Sequence, residues 1–249
     1  MNFNNKQAFN SLPDAILFDL DNTLYAYEPA HKAAWYQVVK KVTSLFMIEG
    51  IQFSKAFFEA RSQIKYQLGN TASSHSRLLY FQRTLELLGL GAHLISALDL
   101  EQTYWYTFLH EAKVFDGVTE TFNEIRYYGI PIIIITDLTA QIQMRKLINF
   151  ELDKYIDYLV TSEESGADKI QYSSYKLTLH KISKTKGVFW MIGDSVKNDI
   201  EASKKAINAI TIQKLHKGVY QSKKIKPDAS FKEFLELKNL ISNLSHKSK

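Results

Sequence analysis

Two acids stand two residues apart in Asp19-Leu20-Asp21-Asn22-Thr23, at the end of the short apolar run 15–20. In an extended segment residues i and i+2 point to the same side, so Asp19 and Asp21 are expected to leave a strand end together. Carboxylates that close repel each other unless a proton or a cation intervenes. A hard divalent ion with oxygen ligands answers that repulsion, and magnesium suits phosphate chemistry. Taken alone, the pair also fits a turn after a strand. A second acidic segment, Gly193-Asp194-Ser195-Val196-Lys197-Asn198-Asp199, follows the apolar run 188–192. Gly193 allows a tight turn, Asp194 emerges at the strand end, and Asp199 falls near the next helix start, where a carboxylate is favoured. By itself that segment reads as an ordinary helix cap.

Two further residues complete the set. Thr136 ends the run IPIIIIT at 130–136, and its hydroxyl and nearby loop amides can take phosphate oxygens. Alone it is a plain β-branched strand residue. Lys169 lies in EESGADKIQ, just before a helical pattern. A lysine there neutralises phosphate as a point charge, although a lone loop lysine is ordinarily solvated surface.

The elements that must position these groups follow from the hydrophobic pattern. Strands are expected at 15–20, 130–136, 158–161, 188–192 and 209–212, with a short edge strand at 229–231. Helices are expected at 139–150, 172–183, 198–205 and 232–243 between and after them. Strands alternating with helices predict a doubly wound parallel α/β sheet. In such a sheet ligands bind at the carboxyl ends of the strands, where all four features fall. Between 27 and 111 the pattern is helical, with candidate helices at 30–48, 54–68, 74–88 and 92–111. Ser73 or Ser74 is the expected cap of the third and Gly89 its end. The expected organisation is therefore a core of 1–26 and 112–249 carrying a helical insert at 27–111.

Composition narrows the function classes. The 249 residues are 45% hydrophobic and 23% charged, an ordinary globular balance. A net charge of +5 eases the approach of anions and is too small to imply nucleic acid. With no cysteine, disulfides, thiolate metal sites and a Cys nucleophile are excluded. The polar start and the absence of a long apolar run predict a cytoplasmic protein with no membrane partner. Lys214, Lys217, Lys223, Lys224 and Lys226 are expected in a solvated loop, and the tail 245–249 is expected to fray.

In order, these features are carboxylate pair, hydroxyl, lysine, carboxylate pair. The chain thus resembles the haloacid dehalogenase-like superfamily, whose four motifs match Asp19–Thr23, Thr136, Lys169 and Gly193–Asp199. The resemblance spans roughly residues 14–231. The insert resembles the small α-helical cap of that family, and Phe115-Asp116-Gly117-Val118 resembles the return from cap to core. Two positions depart from the pattern: Asp137 stands where Asn is common, and Ile170 where Pro is common.

The resemblance implies Asp19 as nucleophile and Asp21 as acid, then base. It implies Mg²⁺ held by Asp19, the backbone carbonyl of Asp21 and Asp194, with Asp199 in support, and phosphate held by Thr136 and Lys169. The carboxylate at Asp21 favours phosphate ester hydrolysis or phosphomutase chemistry over dehalogenation. The expected partner is a small phosphorylated metabolite such as a sugar phosphate. The insert is expected to act as a lid, with Arg77 or Arg83 reading an anionic group of the substrate. On helix 74–88, Leu78, Phe81, Leu85 and Leu88 fit the core stripe. Tyr104, Trp105, Tyr106 and Phe108 fit helix packing. The alternatives are a phosphomutase, a binding module on the same fold and, for the lysine-rich stretch, an RNA binder. Nothing in the sequence speaks to oligomeric state.

Overall fold

A computed structural model describes residues 1–247. It divides into two compact units, one formed by residues 1–25 and 114–249 and the other by residues 26–113.

The first unit is built on seven strands: β1 (Asn2–Phe3), β2 (Ala15–Phe18), β3 (Ile132–Thr136), β4 (Tyr158–Thr161), β5 (Phe189–Gly193), β6 (Ile210–Lys214) and β7 (Ala229–Phe231). Their order is β1-β7-β6-β5-β2-β3-β4, and every pairing is parallel except β1 with β7. The chain lays β3 and β4 on one side of β2, then crosses to lay β5, β6 and β7 on the other. The order therefore reverses beside β2, and a crevice for a ligand opens at such a reversal.

Every residue of β2, β3 and β5 is buried, as continuous β-branched and aliphatic runs in a parallel sheet require. Alternate side chains go to opposite faces. Ala15, Leu17, Ile133, Ile135, Phe189 and Met191 share a cluster with Tyr175 and Ala202, which belong to the helices Ser173–Lys181 and Ala202–Ile207. Phe18, of the other parity, meets Phe122 of the helix Val118–Tyr127 with ring centroids 5.0 Å apart. Helices thus cover both faces, and the fold is a doubly wound α/β sheet.

Several local expectations change. The strand at 229–231 is not an edge, because the unforeseen β1 pairs outside it. The helix Val118–Tyr127 was also unforeseen; Gly117 starts it at φ 81°. Lys214 is not in a solvated loop. It is buried at the end of β6, with its ammonium 4.2 Å from the centroid of the Phe115 ring and donating to the Lys232 carbonyl at 2.7 Å. The last helix, Phe234–Lys247, runs through residues 245–247 of the tail expected to fray, and residues 248–249 lie outside the described residues.

The second unit holds four α-helices, Tyr27–Phe46, Gly50–Leu68, Arg77–Leu87 and Leu94–Glu111. Aromatic rings form its core: Trp35 lies 4.5 Å from Phe57, Phe57 lies 5.5 Å from Phe81, and Tyr104 lies 5.0 Å from Trp105. The third helix is capped by Ser76 rather than Ser73 or Ser74; its hydroxyl accepts from Leu79 N at 3.3 Å. Its buried stripe is Tyr80, Phe81, Thr84 and Leu85, leaving Leu78 and Leu88 partly exposed. Among the described residues no helix is long and apolar enough to cross a membrane.

Candidate active site

The backbone of Asp19 extends the β2–β5 ladder by one residue, its N–H donating to Ile192 O at 2.9 Å. Its side chain thus stands just past the strand end. The next residues turn tightly: Leu24 N returns to Leu20 O at 3.0 Å, with Asn22 left-handed at φ 63°. That turn brings Thr23 Oγ1 to donate to Asp19 Oδ2 at 2.8 Å. The other oxygen, Oδ1, accepts from Lys169 Nζ at 2.5 Å.

From β5 the chain passes through Gly193 into Asp194 and the short helix Val196–Glu201, whose Asp199 turns back toward the strand. A Cβ on residue 193 would fall 2.3 Å from Asp199 Oδ2, so only glycine admits this approach. Asp199 Oδ2 accepts from Ser195 N at 2.9 Å, and its Oδ1 takes a second bond from Lys169, at 2.6 Å. One carboxylate oxygen from each of Asp19, Asp194 and Asp199 lies within 4.8 Å of the others. Gln213, beside Gly193 in the β5–β6 register, donates to the Asp194 carbonyl at 2.8 Å and secures that loop.

Thr136 is buried at the end of β3, and its hydroxyl accepts from Gln143 Nε2 at 2.7 Å. The departure at Asp137 has a use: its Oδ1 accepts the backbone N–H of Lys169 at 2.8 Å. The extra acid therefore fixes the lysine loop. Burial raises the Asp137 pKa while the Lys169 charge opposes the rise.

Asp21 parts company with Asp19. Its carboxylate is gripped by Lys146, at 2.6 Å and 2.9 Å to the two oxygens, and by the Tyr25 hydroxyl. Burial works to raise the Asp21 pKa, but Lys146, Tyr25 and Gln143 outweigh it and hold the group below the usual carboxylate range. Neither Lys146 nor Tyr25 was singled out from the sequence. The available signal was a lysine on the face that Ile142 and Leu147 bury in the helix Ala140–Asn149.

Three carboxylates around one ammonium leave an excess of negative charge. Burial lifts the Asp19 pKa well above its ordinary value; Lys169 opposes the rise, and Asp199 and Asp194 add to it. Burial first, then Asp199, pushes Asp194 up to about 7. Lys169 is held protonated, its burial outweighed by Asp19 and Asp199. An oxygen-only, strongly anionic donor set of this kind fits a hard divalent cation. Asp19, Asp194 and Asp199 supply the clustered oxygens, whereas Asp21, its side chain engaged by Lys146, has only its backbone carbonyl to offer.

The two arginines of the helical unit differ. Arg83 pairs with Glu86 at 2.9 Å and Gln63 at 2.8 Å, a half-exposed surface arrangement. Arg77 is half-buried and meets hydroxyls, a carbonyl and ring faces: it donates to Tyr27 OH and, at 3.0 Å, to His75 O, and lies 5.4 Å from the centroids of Tyr80 and Tyr104. Tyr104, Trp105 and Phe108 are buried, and Tyr106 is exposed.

A family model described as haloacid dehalogenase-like hydrolase matches residues 13–206. The chain is 34% identical over 200 residues to a ribulose-1,5-bisphosphate 5-phosphatase from Halopiger xanaduensis, covering 80% of this chain and 82% of the relative. It is 26% identical to a glyceraldehyde 3-phosphate phosphatase from Methanocaldococcus jannaschii, covering 92% and 97%. In fold it is similar to the magnesium-bound HAD-hydrolase YfnB from Bacillus subtilis, with a TM-score of 0.67 at 18% identity over 91% of this chain and 97% of that one.

Proposed function

The chain belongs to the haloacid dehalogenase-like hydrolases as a phosphoric monoester hydrolase, and we propose that it cleaves a small phosphorylated sugar with magnesium through an aspartyl-phosphate on Asp19. The observation that carries this reading is the buried Asp19 carboxylate, held between Lys169 and Thr23 beside Asp194 and Asp199.

Asp19 attacks phosphorus, and the bond from phosphorus to the leaving oxygen breaks as Asp21, which has to take up a proton beforehand against the pull of Lys146, gives that oxygen its proton. Water then attacks the aspartyl-phosphate while Asp21 takes its proton. The bond to Asp19 breaks, and inorganic phosphate leaves. Thr136 and Lys169 bind the phosphoryl oxygens, and Lys169 offsets charge as it spreads over them. When bound to Asp19, the Asp21 carbonyl and Asp194, the magnesium ion supplies electrostatic stabilisation of that same charge. Asp199 acts in support, by orienting Lys169. Similarity to two sugar-phosphate phosphatases supports the substrate class. Of the two arginines, Arg77 is the better candidate to read an anionic group of the substrate, because Glu86 already answers the charge of Arg83.

The test is a panel of sugar mono- and bisphosphates assayed for magnesium-dependent phosphate release, with acid-quench trapping of phosphoenzyme. Phosphate release, with label on wild type and none on Asp19→Asn, is expected. An active wild type that never carries label, or isomerised sugar phosphate in place of free phosphate, refutes the proposal.

A further inference from the structure

The helix Ala140–Asn149 buries Ile142, Gln143, Lys146 and Leu147. Two of these four are polar, and both are fully enclosed. A core-facing stripe ordinarily carries apolar residues, and an enclosed ammonium is costly unless it is paired. Both polar groups turn to the carboxyl end of the sheet. Gln143 Nε2 donates to Thr136 Oγ1 and to Asp137 O, each at 2.7 Å. Lys146 reaches both oxygens of Asp21, at 2.6 Å and 2.9 Å. The Tyr25 hydroxyl donates to Asp21 Oδ1, and the Lys146 ammonium lies 5.8 Å from the centroid of the Tyr25 ring. One carboxylate is thus clamped from two elements, the motif loop after β2 and a helix more than a hundred residues later in the chain.

We infer that Lys146 is a positioning residue for the acid–base step, fixing the carboxylate of Asp21 from the helix Ala140–Asn149 with the Tyr25 hydroxyl as the second clamp. The inference rests on the reading of Asp21 as acid and base. Lys146 acts only through Asp21, whose two oxygens it holds. Asp21 has to enter the cycle protonated, against the pull of Lys146; its proton goes to the leaving oxygen and is regained from water, so the ammonium ends each turnover as it began. What the clamp contributes is place: Asp21 sits two residues from the nucleophile yet bonds to a different lysine, so the two carboxylates keep separate positions. An unclamped Asp21 would be free to turn toward Lys169, the ammonium that holds Asp19 and Asp199. Loss of position by about 1 Å costs on the order of a hundredfold in rate.

The experiment compares Lys146→Met, Tyr25→Phe, Asp21→Asn and the Asp21→Asn/Lys146→Met double variant. Two substrates are used, an alkyl (sugar) phosphate and p-nitrophenyl phosphate, whose leaving group needs little protonation. Lys146→Met is expected to lower kcat on the alkyl phosphate by roughly 10–100-fold with KM little changed, and to lose less on the aryl ester. Tyr25→Phe shows the same split, more weakly. In the Asp21→Asn background the lysine change adds nothing. An unchanged or raised kcat in Lys146→Met overturns the inference, as do equal losses on both substrates or a further loss in the double variant. Should Lys146→Met fail to fold, Tyr25→Phe decides: no split between the substrates rejects the clamp. Full turnover in Asp21→Asn removes the acid–base reading and the clamp with it, whereas a crippled Asp21→Asn beside an intact Lys146→Met rejects the clamp alone.

Discussion

The Lys169 ammonium lies 2.5 Å from Oδ1 of Asp19, and both side chains are almost sealed from solvent. The same ammonium lies 2.6 Å from Asp199 Oδ1, so one cation holds both the carboxylate proposed to attack and its neighbour. Lys169→Met removes that cation and keeps the side-chain length. Turnover should fall by about a hundred- to a thousandfold, the usual loss when one charge-stabilising donor is removed. The site becomes more anionic, so the concentration of magnesium giving half-maximal rate should not rise. A magnesium titration of phosphate release checks both points. Loss that extra magnesium fully rescues would show that Lys169 serves only to balance charge.

Chelation should abolish turnover, and restored magnesium should bring it back. Asp19, Asp194 and Asp199 each bring one oxygen within 4.8 Å of the others, and a ligand that binds only the folded state stabilises it, by about 2.7 kcal/mol at a hundredfold excess over Kd. Magnesium added to metal-free protein should therefore raise the unfolding temperature by several degrees. Asp194→Asn should lose most of that shift and demand more magnesium for activity. A metal-free preparation with undiminished turnover would contradict this account.

Gly193→Ala tests the close approach of Asp199. The new Cβ would meet Asp199 Oδ2 at 2.3 Å and Cγ at 2.4 Å, so Asp199 must move. Moving it strains the bonds from Ser195 N and Lys169. Overpacking of this kind costs about 1–3 kcal/mol, and displacement of a group that orients Lys169 should lower kcat by about tenfold or more. Thermal unfolding and kcat measured together check it. A variant with unaltered kcat would show that the loop relaxes without disturbing the lysine.

The sequence carried the site in the order of its motifs, because each motif is a strand plus the few residues after it. Asp19, Thr136 and Asp194 follow runs such as 132–135 that can only be buried strands, and the parallel sheet brings those ends together. The strand at 229–231 was legible, yet its partner β1 was not, since two residues of polar surroundings have no readable period. Lys146 was missed for a physical reason as well. Its partner Asp21 lies 125 residues away, and nothing local in the sequence distinguishes an enclosed lysine from a solvated one. The same failure applies at Lys214, buried against Phe115 although the residues after it read as a basic loop.

Asp228 offers a test of stability away from the site. Its Oδ2 accepts from the N–H and the hydroxyl of Thr211, both at 2.9 Å, and pairs with Lys204 at 3.1 Å. Its backbone carbonyl accepts from Asn4 and Asn5, at 2.8 and 3.0 Å, so one residue ties β6 to the start of β7 and the N-terminal segment. Burial works to raise its pKa, but the Thr211 donors and Lys204 prevail and hold it below the ordinary carboxylate value. A depressed folded-state pKa means that the ionised group stabilises the fold above the unfolded value of about 3.9, and that this contribution fades as pH falls through the folded value. Asp228→Asn should therefore cost about 1–3 kcal/mol near neutral pH. The gap to wild type should stay level down to about pH 5 and narrow on further acidification. Urea unfolding of both proteins across that range measures the gap directly. A gap that is absent at neutral pH, or that widens in acid, would mean that the Thr211 and Lys204 bonds do not stabilise the ionised carboxylate.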